Sequence, residues 1–183
     1  MTPDESSPDE AGSGIGEATK PTRSGPSPWD AALRLLGTRA RSRAEMRQRL
    51  EARGFEPDDV DKTMARLDEW KLLDDTEFAA EWVRSRHAGS ARGRLALKRE
   101  LRTKGIDEEV AAQALAQIDP DGEREIAVRL AEKKLNVSGE LLRDREVHAK
   151  AYRRLAGALG RRGFPPDLIG SVVKEVLDRA RAD

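Results

Sequence analysis

Three glycines punctuate this chain in the same way, and that repetition restricts its fold more than any other feature. The residues four and eight positions before Gly54, Gly105 and Gly163 are Leu50 and Met46, Leu101 and Leu97, and Leu159 and Leu155. Arg53, Lys104 and Arg162 stand immediately before the glycines, and Phe55, Ile106 and Phe164 immediately after them. Apolar residues four apart share one face of a helix. A cation in a last turn meets the negative end of the helix dipole, and the glycine then supplies the positive φ that ends the helix. A new helix is predicted after each glycine, because EPDDVDKTMARL, DEEVAAQALAQI and PPDLIGSVVKEV carry acid or proline in the first turn and reach Leu67, Ile118 and Val176 in register. A further helix precedes each pair: WDAALRLLG, TEFAAEWVRSR and EREIAVRLAEKKL.

No stretch alternates as a strand would. The expected fold is therefore all-α, three tandem three-helix repeats over residues 28–73, 74–120 and 121–183 forming an elongated, curved body. Extra length in the third repeat falls at NVSGELLRDRE, residues 136–146, which reads as a loop or a shifted helix boundary. Ser42 with Glu45, and Asp74 with Glu77, offer capping boxes. Composition agrees with serial small cores: 37% of the 183 residues are hydrophobic, 37% are charged, and aromatics are few. Trp29, Trp70, Phe78 and Trp82 are expected in those cores. Residues 1–27, rich in Ser, Pro, Gly and acid, are expected to be a disordered acidic tail, so its GSGIG lacks the strand and helix that a nucleotide loop needs. The chain has no cysteine, its first residues are acidic, and no apolar run approaches the roughly 20 residues of a membrane span, which points to a cytoplasmic protein off the membrane.

Charge raises the functional question. Thirty-four Lys and Arg cancel 34 Asp and Glu, yet RGRLALKRELRTKGI gathers Arg92, Arg94, Lys98, Arg99, Arg102 and Lys104. On a helical wheel Arg94, Lys98 and Arg102 stack beside the apolar Leu97 and Leu101. Arg43 and Arg47 occupy the offsets of Arg94 and Lys98 in the first repeat, whereas the third has Tyr152 and Ala156 there. Arg84, Arg86 and His87 lie just before the second helix of the middle repeat. Such cations are commonly a solvated face. Without regular acids four residues away along the same helix, internal pairing is not expected, and a surface for DNA phosphates or acidic protein is the alternative. Catalysis finds no motif: His87 and His148 are far apart, and Asp58–Asp59, Asp74–Asp75 and Glu108–Glu109 sit at helix starts, where capping explains them. Neither a cofactor nor a metal is expected.

The run LLDDTEFAAEWVRSR followed by RGRLALKRELRTKGIDEEVAAQAL resembles the central segment of the bacterial RecX regulatory proteins. The matching positions are Asp75, Phe78, Ala79, Trp82, Val83 and Arg86, then Gly93, then Glu100, Leu101, Lys104, Gly105 and Ile106. SRAEMRQRLEARGF resembles the family's first box and LGRRGFPPDLI its last, so the resemblance spans about residues 29–180. It implies a modulator of the RecA recombinase that lodges along the groove of the RecA–DNA filament and inhibits strand exchange, ATP hydrolysis and co-protease action in DNA repair and the SOS response. It implies no chemistry of its own. The basic ridge of a monomer would then meet single- or double-stranded DNA, or acidic protein, inside that groove. A helix-turn-helix DNA-binding transcription regulator is the second reading, although third helices beginning EPDD, DEEV and PPDL would repel phosphate.

Overall fold

The computed structural model describes residues 25–182, all of whose regular structure is helical. The first triplet is α1 (Pro28–Leu36), α2 (Arg43–Glu51) and α3 (Pro57–Glu69). The second is α4 (Asp75–Ser90), α5 (Arg94–Thr103) and α6 (Glu108–Ala116), and the third is α7 (Pro120–Lys134), α8 (Arg145–Arg162) and α9 (Pro166–Ala182). The extra residues of the third triplet form a connection containing a single 3-10 turn, Leu141–Arg143, whose Leu142 is buried against that core. Most of the expected tail lies outside the described residues. Its last residue, Ser27, is structural: the Ser27 hydroxyl accepts from the Asp30 N–H while the Asp30 carboxylate reaches back to the cap, opening α1.

Each triplet closes its own apolar core, and the helix contacts of any extent among the described residues lie within triplets. The six residues placed four and eight before the glycines, from Met46 to Leu159, are completely buried. Burying one such side chain contributes about 1.5–3 kcal/mol, so these positions anchor the middle helices α2, α5 and α8. Gly54, Gly105 and Gly163 all have positive φ, at 77°, 70° and 81°. Phe78 is buried and Trp29 and Trp82 are half-buried, but Trp70 departs from expectation: it is 61% exposed, edge-on to Trp29. The guanidinium of Arg66 lies 3.9 Å from the Trp29 ring, so this pair forms an amphipathic lid on the first core rather than part of it.

The triplets are joined through their middle helices, head to tail. The carboxyl end of α8 meets the amino end of α5: the Gly93 N–H donates to the Arg162 carbonyl at 2.9 Å and the Leu95 N–H to the Gly163 carbonyl at 3.0 Å. The carboxyl end of α5 meets the amino end of α2, where the Ser42 hydroxyl donates to the Lys104 carbonyl at 2.6 Å. At the first of these joints N–H groups at a helix start and carbonyls at a helix end satisfy each other, and at the second a side-chain hydroxyl serves the carbonyl. An acid from the following triplet completes each joint. Asp75 accepts from the Arg43 N–H at 2.9 Å, and Glu123 accepts from the Arg94 N–H at 2.9 Å. Asp75 and Glu123 hold the same register, four residues before the buried Ala79 and Ala127; the first triplet has Pro28 four before Ala32.

Candidate polyanion-binding face

The cations singled out by the sequence divide into those already held by carboxylates and those that are not. Arg43 pairs with Asp68 at 2.9 Å, Arg47 with Asp61, and Lys98 with Glu108 at 2.9 Å. Arg94 pairs with the buried Glu123 at 2.6 Å, Arg92 with Glu100 at 3.0 Å, and Arg84 with Glu81. The expectation that these faces are not internally paired is therefore corrected. For Arg43, Arg47, Lys98 and Arg94 the acids come from the third helix of the same triplet or the first helix of the next, where spacing along one helix could not reveal them; Glu81, three residues before Arg84, and Glu100 of α5 lie nearer in sequence. Arg94 places both its backbone N–H and its guanidinium on Glu123, whereas Arg43, at the equal offset, meets Asp75 through its backbone N–H and turns its guanidinium to Asp68.

Trp82 is the centre of a second group. Its indole N–H donates to Glu100 at 3.0 Å, and the ring stacks on Phe78 with centroids 5.7 Å apart. The Arg86 guanidinium lies 4.5 Å and the Lys104 ammonium 4.9 Å from the ring centroid. Two cations thus occupy the π surface that a nucleobase would need, and Trp82 works as an organiser of charge. His87, in the last turns of α4, contacts the Arg92 carbonyl through Nδ1 at 2.7 Å and so holds the turn into α5.

Arg99 and Arg102 are different: no carboxylate among the described residues pairs with them. They project from α5 into two grooves, one at each joint of the middle helices. The groove between the first and second triplets, about 570 Å³, is lined by Gln48 and Arg49 of α2 and by Arg102 and Lys104 at the end of α5. The groove between the second and third, about 310 Å³, is lined by Arg99 and Lys104 of the second triplet and Arg161 at the end of α8. Counted from the glycines, Gln48 and Arg99 are equivalent, and so are Thr103 and Arg161. The grooves are one feature repeated, and their unpaired guanidinia are Arg49, Arg99, Arg102 and Arg161. Sequence reading found two of these and missed Arg49 and Arg161. Their signal is not an offset shared by two helices but the joining of one helix's body to the end of another, which appears only once the triplets stack.

Glu45 lies at the bottom of the first groove. Burial pushes its carboxyl up, but hydrogen bonding from Arg39 and the charges of Lys104 and Arg41 together outweigh burial and hold the group below the usual carboxylate range. Arg41, also buried, is shifted down by desolvation and by the nearby Arg39, although Glu45 opposes the shift. An acid committed to three cations leaves net positive charge in the groove, which suits phosphate or carboxylate oxygens. Among the described residues no cluster of His, Asp and Glu is placed to hold a metal ion, and no helix is long and apolar enough to cross a membrane.

Comparison with known proteins gives a consistent picture. Residues 29–67 match the model of the first three-helix domain of RecX, and residues 74–115 that of the second. A protein of Mycolicibacterium smegmatis named regulatory protein RecX is 44% identical over 153 residues, covering 83% of this chain and 80% of that one. The regulatory protein RecX of Corynebacterium efficiens is 42% identical over 152 residues, 83% of this chain and 72% of its own. The crystal structure of RecX from Lactobacillus salivarius superposes with a TM-score of 0.70 at 27% identity, over 81% of this chain and 94% of that one.

Proposed function

The chain belongs to the RecX family of regulatory proteins, and we propose that it binds the RecA nucleoprotein filament and lowers its recombinase, ATPase and co-protease activities. The observation that supports this reading is the pair of equivalent cationic grooves, whose repetition along the stacked middle helices matches a periodic polyanionic partner better than a single small ligand. Arg99 and Arg102 make the first contacts, with Arg49 and Arg161 extending the track, because no carboxylate has to be displaced from them. Arg86 and Lys104 contribute charge through the Trp82 cluster. Arg43, Arg47, Arg84, Arg92, Arg94 and Lys98 form the flanks, where an incoming phosphate would have to exchange with a bound acid.

The protein performs no chemistry in this reading. It acts in the cytoplasm as a monomer and modulates the filament by occupying its groove, with DNA phosphates or acidic protein as the contacted groups. The test is RecA-dependent ATP hydrolysis on single-stranded DNA, titrated with this protein. Progressive inhibition that weakens as salt rises is expected, and hydrolysis unchanged at stoichiometric excess would refute the reading.

A further inference from the structure

The second triplet carries a bowl between two of its helices. It holds about 400 Å³ between α5 and α6, with Ile106 and Ala111 as floor, Leu95 as wall, and Lys98, Arg99 and Arg102 around the rim. Counted from the glycines, the floor positions are Phe55 and Val60 in the first triplet, Ile106 and Ala111 in the second, and Phe164 and Ile169 in the third. Both floor residues of the second triplet are therefore smaller than either counterpart. Close packing would ordinarily fill such a space, since each missing methylene forfeits contact energy. Leu95 meanwhile stays 45% exposed above the hollow. The rim is equally particular to this triplet: Arg99 and Arg102 correspond to Gln48 and Glu51 in the first triplet and to Gly157 and Gly160 in the third.

We propose that this bowl receives a large apolar side chain from an acidic segment of the protein component of the filament, an inference that rests on the function proposed above. The floor and Leu95 supply the apolar contact. Glu108 already neutralises Lys98, so Arg99 and Arg102 remain to engage carboxylates flanking the anchor. A nucleobase is the poorer occupant, because the lining holds no aromatic ring on which it could stack. The second triplet then contacts protein through the bowl while the neighbouring grooves contact polyanion, and Arg99 and Arg102 belong to both.

Two variants of the full-length protein test this: Ala111→Ile, which fills the bowl with the residue the third triplet carries, and Leu95→Ser, which removes the wall without adding volume. Binding is measured to RecA in the absence of nucleic acid and, separately, to a labelled oligothymidylate, with thermal melts recorded for each variant. Both substitutions should weaken RecA binding about tenfold, the effect of losing one buried apolar contact, and leave oligothymidylate binding and folding unchanged. Parental affinity for RecA in a folded Leu95→Ser protein would overturn the proposal, as would an equal loss for RecA and oligothymidylate, which would make nucleic acid the occupant. A parental protein that binds no RecA at all, with or without DNA, would instead overturn the functional reading itself.

Discussion

Gly54, Gly105 and Gly163 share a left-handed backbone but not an environment. Nothing lies within 4 Å of a Cβ built on Gly54, whereas one on Gly163 would stand 2.3 Å from the Ala96 amide nitrogen, and one on Gly105 2.3 Å from the Ala44 Cβ. Gly54→Ala should therefore cost only the conformational penalty, about 1–2 kcal/mol. Gly163→Ala should cost clearly more, because it also forces α5 and α8 apart; urea unfolding of the two variants checks the order. The positive φ was legible from the cation and apolar stripe before each glycine. The close approach was not, because the neighbour belongs to another triplet. Trp70, expected in a core with the other aromatics, stays 61% exposed, and the first core closes with Leu67 and Leu73 instead.

The helix α2 shows how an element can be half legible. Ser42 caps it as its sequence suggests, accepting from the Glu45 N–H at 3.1 Å. The Glu45 side chain, however, does not complete the capping box but turns to Arg39, Arg41 and Lys104. Its lowered pKa sets a pH dependence. A carboxyl depressed in the folded state contributes stability that is fully present above its unfolded value, about 4.3, and is lost as pH falls through the lower folded value. The parent should therefore lose stability steeply below about pH 4.3. Glu45→Gln should be less stable at neutral pH and flatter through the acid range, as denaturant midpoints measured across pH would reveal. The basic face of α5 follows the same logic: its cations were visible in sequence, but the acids on α6 and α7 that claim Lys98 and Arg94 were not.

The joints act at the scale of the whole molecule. Each uses a glycine end, a helix start and an acid from the next triplet, and the two outer triplets differ in those parts. Pro28 replaces the joint acid at one end, and at the other Asp144 satisfies the start of α8 itself by accepting from the Glu146 and Val147 N–H groups, both at 2.9 Å. The first triplet keeps an open glycine end at Gly54 but lacks the joint acid, and the start of α8 is already capped, so head-to-tail growth is disfavoured, and light scattering should report a monomer at micromolar concentration. Helix content and triplet order were readable because periodicity and end signals are local. The grooves were not, because each is built from residues more than 50 positions apart, such as Arg49 and Lys104.

On the proposed function, unpaired cations at the joints carry function while paired cations carry structure. Inhibition of RecA-dependent ATP hydrolysis, measured with thermal stability on the same samples, separates the two roles. Replacing Arg49, Arg99, Arg102 and Arg161 with Ala should abolish most inhibition and leave the melting temperature nearly unchanged, since exposed unpaired cations contribute little to folding. Replacing Arg94 should lower the melting temperature, because its guanidinium holds the buried joint acid Glu123, while inhibition at temperatures where the protein is folded stays closer to the parent. Full inhibition by the fourfold variant, or its complete loss in a folded Arg94 variant, would contradict this division of roles.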